Sequence, residues 1–244
     1  MLNVIVTGGS RGIGLAVCER LAAAGYRAIA IARSESEDLS AAIAAATSAG
    51  VGAIVIVKYD LADIGGMKQL VRDIRKKFGP IYGLVNNAGI GTEGLLTSMP
   101  MADIERLIRI NTLSPIAFTR QVIRSMLAES SGRIINMSSI VASTGYNALS
   151  VYSATKASMT GFTRSLAREV GRAGITVNAI APGFTDTAMT EGLGEEARGR
   201  IARRSALQRL IETGDIARAV EFLMGEGGRN ITGTVMTIDA GSTA

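Results

Sequence analysis

Tyr152 and Lys156 stand four positions apart in the stretch Val151-Tyr152-Ser153-Ala154-Thr155-Lys156, within a chain of 244 residues that contains no histidine. Histidine is the usual proton carrier near neutral pH, so proton transfer here must use groups whose ordinary pKa lies far from 7. On a helix, residues i and i+4 share a face, which lets the phenol and the ammonium point into one space. An ammonium within a few ångströms favours the phenolate and lowers the tyrosine from its ordinary pKa of about 10, so the pair can give or take a proton. With five tyrosines in the chain, one such spacing carries little weight alone, and its neighbours have to support it.

The strand-like run Ile134-Ile135-Asn136-Met137 ends in Ser138-Ser139, just before the segment bearing Tyr152. Ser139 can hydrogen-bond a carbonyl and hold it where Tyr152 protonates the oxygen as hydride reaches the carbon. Ser138 reads as a turn cap. Asn111 lies in a helix-compatible stretch, 101–128, and is followed by Thr112, Ser114 and Pro115. A polar residue beside an interior proline marks a place where a helix distorts and frees a carbonyl, here one able to hold a water near Lys156.

The stretch Thr7-Gly8-Gly9-Ser10-Arg11-Gly12-Ile13-Gly14 leaves a hydrophobic strand and enters a helical pattern. In that setting Gly8 permits a tight turn, Gly12 lets the backbone approach a pyrophosphate, and Gly14 allows close packing of helix on strand. An NAD site usually places an acid about 20 residues further on, at the tip of the second strand. Here that strand ends in Ile31-Ala32-Arg33-Ser34. Arg33 and Arg11 can instead pair with a 2′-phosphate, because a guanidinium offers phosphate a planar fork, so NADP is favoured over NAD. After the third strand, Asp60 can meet an adenine amino group or cap a helix. The run Asn86-Asn87-Ala88-Gly89 follows the fourth strand, its small residues leaving room beside a cofactor while asparagine fixes the turn.

These residues need a scaffold of alternating strands and helices. Val- and Ile-rich runs recur at 2–7, 27–32, 53–58, 81–85, 133–137, 175–180 and 234–238, with helical stretches at 13–24, 63–78, 101–128 and 151–172 between them. That order predicts a single α/β domain over 1–244, a doubly wound parallel sheet of about seven strands with helices on both faces, the Rossmann architecture. Hydrophobic residues make up 47% of the chain and aromatic ones 4%, so the core is built from small aliphatic side chains suited to buried parallel strands. The segment 183–210, interrupted by Gly192, Gly194 and Gly199, reads as a mobile substrate lid, with ordinary surface helices as the alternative.

Absent histidine excludes the Ser/His triads and most catalytic zinc sites, and Cys18, the single cysteine, has no partner for an internal disulfide and reads as core. The net charge of +5 is spread along the chain, which speaks against a nucleic-acid partner. With no charged leader before the first strand and no membrane-length apolar run, no membrane association and a cytoplasmic setting are expected.

Together, TGGSRGIG at 7–14, NNAG at 86–89, Asn111, Ser139, Tyr152 with Lys156, and Pro182-Gly183 resemble the short-chain dehydrogenase/reductase family, in order and spacing, over essentially the whole chain. The resemblance implies a catalytic tetrad of Asn111, Ser139, Tyr152 and Lys156. It implies cofactor contacts from Gly8, Ser10, Arg11, Gly12, Ile13 and Gly14; from Arg33, Asp60 and Leu61; from Asn87, Ala88 and Gly89; and from Tyr152 and Lys156. Pro182, Gly183, Thr185 and Thr187 would position the nicotinamide carboxamide. A homotetramer is also implied. Within the family, the segments LAREVGRAGITVNAIAPG and PGFTDTAMT are similar to the 3-oxoacyl-(acyl-carrier-protein) reductases, which implies an acyl-thioester substrate that an acyl carrier protein can present. The chain departs from that subfamily at Leu127-Ala128-Glu129-Ser130-Ser131, where basic residues are often found. Oxidation of a small secondary alcohol, sugar or polyol is the competing activity, and a dinucleotide-binding sensor or scaffold is the competing non-enzyme role.

Overall fold

The structure is a computed structural model that describes residues 1–185 and 194–244. Seven parallel strands, β1 (Asn3–Thr7), β2 (Arg27–Ala32), β3 (Ala53–Lys58), β4 (Ile81–Asn86), β5 (Gly132–Met137), β6 (Ile175–Pro182) and β7 (Val235–Ile238), form one sheet in the order β3-β2-β1-β4-β5-β6-β7. The expected doubly wound sheet is therefore present, and the strand order reverses between β1 and β4. In such sheets ligands bind in the crevice at the carboxyl ends of the strands beside that reversal.

Alternation along the strands decides how each face packs. In β2, Ala28 and Ala30 face one layer while Ile29 and Ile31 face the other. The alanine face lies under α1 (Gly12–Ala23) and, together with Val4 and Val6 of β1, joins a core cluster that includes Val17 and Leu21 of α1 and Val220 and Leu223 of α8 (Thr213–Met224). The isoleucine face joins Ile5 to the helices of the opposite layer, α3 (Met67–Phe78), α5 (Ser114–Glu129) and α6 (Ser150–Val170). Each large aliphatic side chain buried this way contributes about 1.5–3 kcal/mol, so the period-2 pattern fixes both register and facing. Cys18 is fully buried in the first cluster, where burial raises its thiol pKa and leaves it a core residue.

Two boundaries differ from expectation. The helix expected from residue 63 begins at Met67, because the Asp63 carboxylate accepts the Gly66 N–H at 3.1 Å and closes a turn first. The helix expected over 101–128 is split into α4 (Met101–Ile108) and α5 by a π turn, Arg109–Leu113. Pro115 has no N–H to offer the carbonyl of Asn111 four residues back, so the regular helical bond is impossible there. The distortion falls at the anticipated place. Two further helices, α2 (Glu37–Ala49) and α7 (Glu195–Arg204), complete the set described, and α7 buries no side chain fully.

Candidate active site

The carboxyl ends of β1, β4, β5 and β6 carry the site. At β1, Gly8 takes φ +68 and its N–H bonds the Ile31 carbonyl at 2.8 Å, so the glycine turn is docked on the end of β2 two residues before Arg33. Gly14, in the first turn of α1, lies so close that a Cβ there would stand 2.1 Å from the Gly8 carbonyl oxygen, which any side chain would forbid. It therefore packs the helix against the glycine turn itself rather than against the strand. Ser36 caps α2, and its hydroxyl bonds the Ser10 carbonyl at 2.5 Å, which ties the loop after β2 to the glycine loop. Arg11 precedes α1, and both Arg11 and Arg33 are exposed, with no ion pair among the described residues. The tight bare turn, the amino end of α1 and two free guanidinium groups fit a dinucleotide with an additional phosphate.

At β4, Asn87 and Ala88 both donate their N–H to the Thr7 hydroxyl at 3.0 Å, and the Asn87 amide donates to the Thr7 carbonyl at 2.9 Å. The two loops at the strand reversal are thus joined by side chains, and Leu61 and Ala88 line a narrow cavity beside Thr7. Asp60 caps no helix: its carboxylate accepts the Ala62 N–H at 2.9 Å in a local turn, and the residue is exposed. Gly89 leaves space that a Cβ would occupy at 3.3 Å from Asn111 Oδ1 and 3.5 Å from Lys156 Nζ, so three predicted site residues converge there.

Asn111 is buried, and its side chain is fully committed. It accepts the Ile90 N–H at 2.9 Å and donates to the Ile90 carbonyl at 2.8 Å and to Thr155 Oγ1 at 3.2 Å. Thr155 in turn donates to the Tyr152 carbonyl at 2.7 Å, so the π turn, the loop after β4 and α6 are held in one register. Lys156 Nζ donates to the Met137 carbonyl at 3.0 Å and lies 5.7 Å from the centre of the Tyr152 ring.

Burial, rather than mutual charge, dominates the titration of this pair. It raises Tyr152 to about 12 and lowers Lys156 to about 8, so both groups are pushed toward their neutral forms. The expected lowering of the tyrosine by the ammonium is not the prevailing effect in the protein alone. Desolvation disfavours the phenolate more than a lysine at this distance favours it.

The turn cap expected at Ser138 falls on its neighbour. Ser139 is the capping residue: its Oγ accepts the Val141 N–H at 3.4 Å at the start of a short 3₁₀ helix, Ile140–Ala142, which leaves the hydroxyl proton for another acceptor. Ser138 is buried and donates to the Lys156 carbonyl at 3.0 Å, fixing β5 to α6. At β6, Gly183 is followed by Phe184, whose ring meets Tyr146 edge-on at 5.8 Å, and Thr185 bonds the Gly183 carbonyl at 3.1 Å. Thr187 lies outside the described residues. Thr7, Ser36 and Thr155 had no role assigned from sequence; Thr7 begins the glycine stretch, but its partners lie in another strand's loop.

A tight glycine turn at the amino end of α1 and a Tyr152-Lys156 pair beside Asn111, at the carboxyl end of one parallel sheet, are the arrangement expected of a dinucleotide-dependent oxidoreductase. Residues 2–198 match the family model described as short chain dehydrogenase, and the chain belongs to the short-chain dehydrogenase/reductase family. It is 39% identical over 239 residues to the 3-oxoacyl-(acyl-carrier-protein) reductase FabG of Haemophilus influenzae, covering 97% of this chain and 96% of that one. It is 35% identical over 237 residues to the acetoacetyl-CoA reductase of Allochromatium vinosum, covering 97% and 96%. A short chain dehydrogenase from Burkholderia cenocepacia, solved in complex with NADP, superposes with a TM-score of 0.90 at 35% identity, over 100% of this chain and 98% of that one. The protein is accordingly an oxidoreductase acting on a CH–OH group or the corresponding ketone.

Proposed function

We propose that the protein reduces a 3-oxoacyl thioester to the 3-hydroxyacyl thioester with NADPH, and that Tyr152 donates the proton. The observation that carries this reading is the convergence of Gly89, Asn111 and Lys156 within a few ångströms, beside the Tyr152 ring and next to the dinucleotide cradle. When bound, the nicotinamide supplies hydride to the ketone carbon. The remaining work falls to the chain. Ser139 donates its free hydroxyl proton in a hydrogen bond to the ketone oxygen and holds it against Tyr152. Tyr152, neutral up to about pH 12, gives that oxygen its proton. Lys156, an ammonium below about pH 8, stabilises the phenolate left behind and returns a proton to it. Asn111 holds the π turn whose carbonyl is available for a water that reloads the lysine.

Arg11 and Arg33 support the NADPH preference, since both are exposed guanidinium groups beside the glycine turn with no ion pair among the described residues, and no acid stands at the tip of β2. The thioester is the chemistry that the two curated relatives' names share, one on a carrier protein and the other on coenzyme A. Presentation by an acyl carrier protein, a cytoplasmic setting and a substrate-covering role for 183–210 belong to the same proposal. So does a homotetramer, supported by Met101, Ile108, Leu113 and Leu127, which expose apolar surface along α4, the π turn and α5. No helix among the described residues is long and apolar enough to cross a membrane. Purified protein should oxidise NADPH when given an acetoacetyl thioester. Absence of turnover, alongside activity on polyols with NAD, contradicts the thioester assignment.

A further inference from the structure

Beside Gly183, two other segments converge on the loop that follows β6. One is the turn after β7. Asp239 closes it: Oδ1 accepts the Gly241 N–H at 2.9 Å, and Oδ2 accepts both the N–H and the hydroxyl of Thr243, at 2.9 and 2.7 Å. Within this turn Ala240 is held at φ 55, in the left-handed region that costs a residue with a Cβ energy, and the carboxylate's three bonds join those of the Asp239 carbonyl to Ser242 in keeping it there. The other segment, 205–211, links α7 to α8.

The turn packs on both neighbours. The Ile238 carbonyl takes the Gly183 N–H at 2.8 Å, and a Cβ at Gly183 would stand 2.7 Å from Asp239 Cβ, so the backbone of the turn is the floor beneath Gly183. On its other side, the carbonyls of Gly241 and Ala240 take the N–H groups of Ala206 and Leu207 at 3.3 and 3.0 Å. Thr185 forms a parallel bridge with Ile211, whose N–H bonds the Phe184 carbonyl at 3.3 Å. Gly183–Thr185 and residues 206–211 are thereby fixed to one structure, the turn that the Asp239 carboxylate helps to close.

We propose that Asp239 is a positioning residue for the nicotinamide end of the site, acting through Gly183. This rests on the reading that Pro182–Thr185 receives the nicotinamide. In this role Asp239 acts through its bonds to Gly241 and Thr243 and not by contact with a ligand. Without its carboxylate the left-handed turn relaxes, the floor under Gly183 shifts, and the loop has to be ordered at the expense of cofactor binding. The adenosine end, built on β1 and β2, does not feel the change. The effect is therefore confined to one half of the dinucleotide.

That asymmetry gives the test. Asp239→Ala is compared with the unmodified protein for binding of NADPH and of 2′-phosphoadenosine 5′-phosphate, which carries the adenosine end and has no nicotinamide. The NADPH dissociation constant should rise roughly tenfold, the cost of ordering a few residues at Pro182–Thr185, while the fragment binds within about twofold of the unmodified protein. Thr243→Val, which removes one of the bonds to the carboxylate and leaves β7 untouched, should shift the same ratio by roughly two- to threefold, and it decides the matter if Asp239→Ala does not fold. Unchanged NADPH binding in the folded variant overturns the proposal. So does equal weakening of both ligands, which is what a general loss of structure produces. The NADPH preference is judged separately on the unmodified protein: if that binds NADH more tightly, NADH and ADP replace the ligand pair and Asp239 is judged by the same ratio.

Discussion

Tyr152 holds its proton more tightly, and Lys156 holds its less tightly, than either does in water, because burial favours the neutral form of each. The consequence for catalysis has a definite sign. The proposed ketone reduction uses the protonated phenol, which persists throughout the neutral range, and the ammonium, which is lost as pH rises through about 8. The kcat for reduction should therefore fall with a single ionisation near pH 8, measured under saturating cofactor and ketone, and an unchanged rate up to pH 10 would count against the role given to Lys156. The pairing of Tyr152 with Lys156 was legible in the sequence, because helical spacing puts both on one face of α6. Their supports were not. Thr7 serves Asn87 from 80 positions away and Thr155 serves Asn111 from 44, and no local pattern encodes partners at such separations.

Among the elements, β2 shows how a strand can place the glycine turn. Its alanines face α1, and Gly9 lies so near that a Cβ there would stand 2.8 Å from Ala30 Cβ. Ala30→Leu should overpack this face and cost about 1–3 kcal/mol of stability. Because the added bulk pushes on the glycine turn, it should also weaken cofactor binding, which thermal unfolding with and without NADPH would separate. All seven strands were legible from their aliphatic runs, since parallel strands buried on both faces read as continuous hydrophobic sequence. The division of the long helix was legible only in part. Pro115 marks where the helix distorts, but the π turn also depends on the bonds from Asn111 to Ile90, formed only once the loop after β4 lies alongside.

Across the whole molecule, the strand reversal between β1 and β4 sets the glycine turn and Arg33 on one side and Asn111 with Lys156 on the other, which the proposed function assigns to the adenosine end and the reacting end. The two ends should be separable by mutation. Arg33→Asp should weaken NADPH far more than NADH, by roughly tenfold or more for loss of a charge-assisted phosphate contact, with kcat at saturating cofactor nearly unchanged. Titration of both cofactors checks this, and equal weakening of the two would contradict the phosphate assignment. The global plan was the most legible level, because element order alone prescribes a doubly wound sheet, whereas the substrate depends on loops whose shape follows from tertiary contacts. The most direct test of the account is the rate of acetoacetyl-thioester reduction, followed by loss of NADPH absorbance, in the unmodified protein and in Tyr152→Phe. The ring and its packing remain while the transferable proton is gone, so kcat should drop by roughly a hundred- to ten-thousand-fold with NADPH affinity retained. A variant that turns over acetoacetyl thioester as fast as the unmodified protein would show that Tyr152 is not the proton donor.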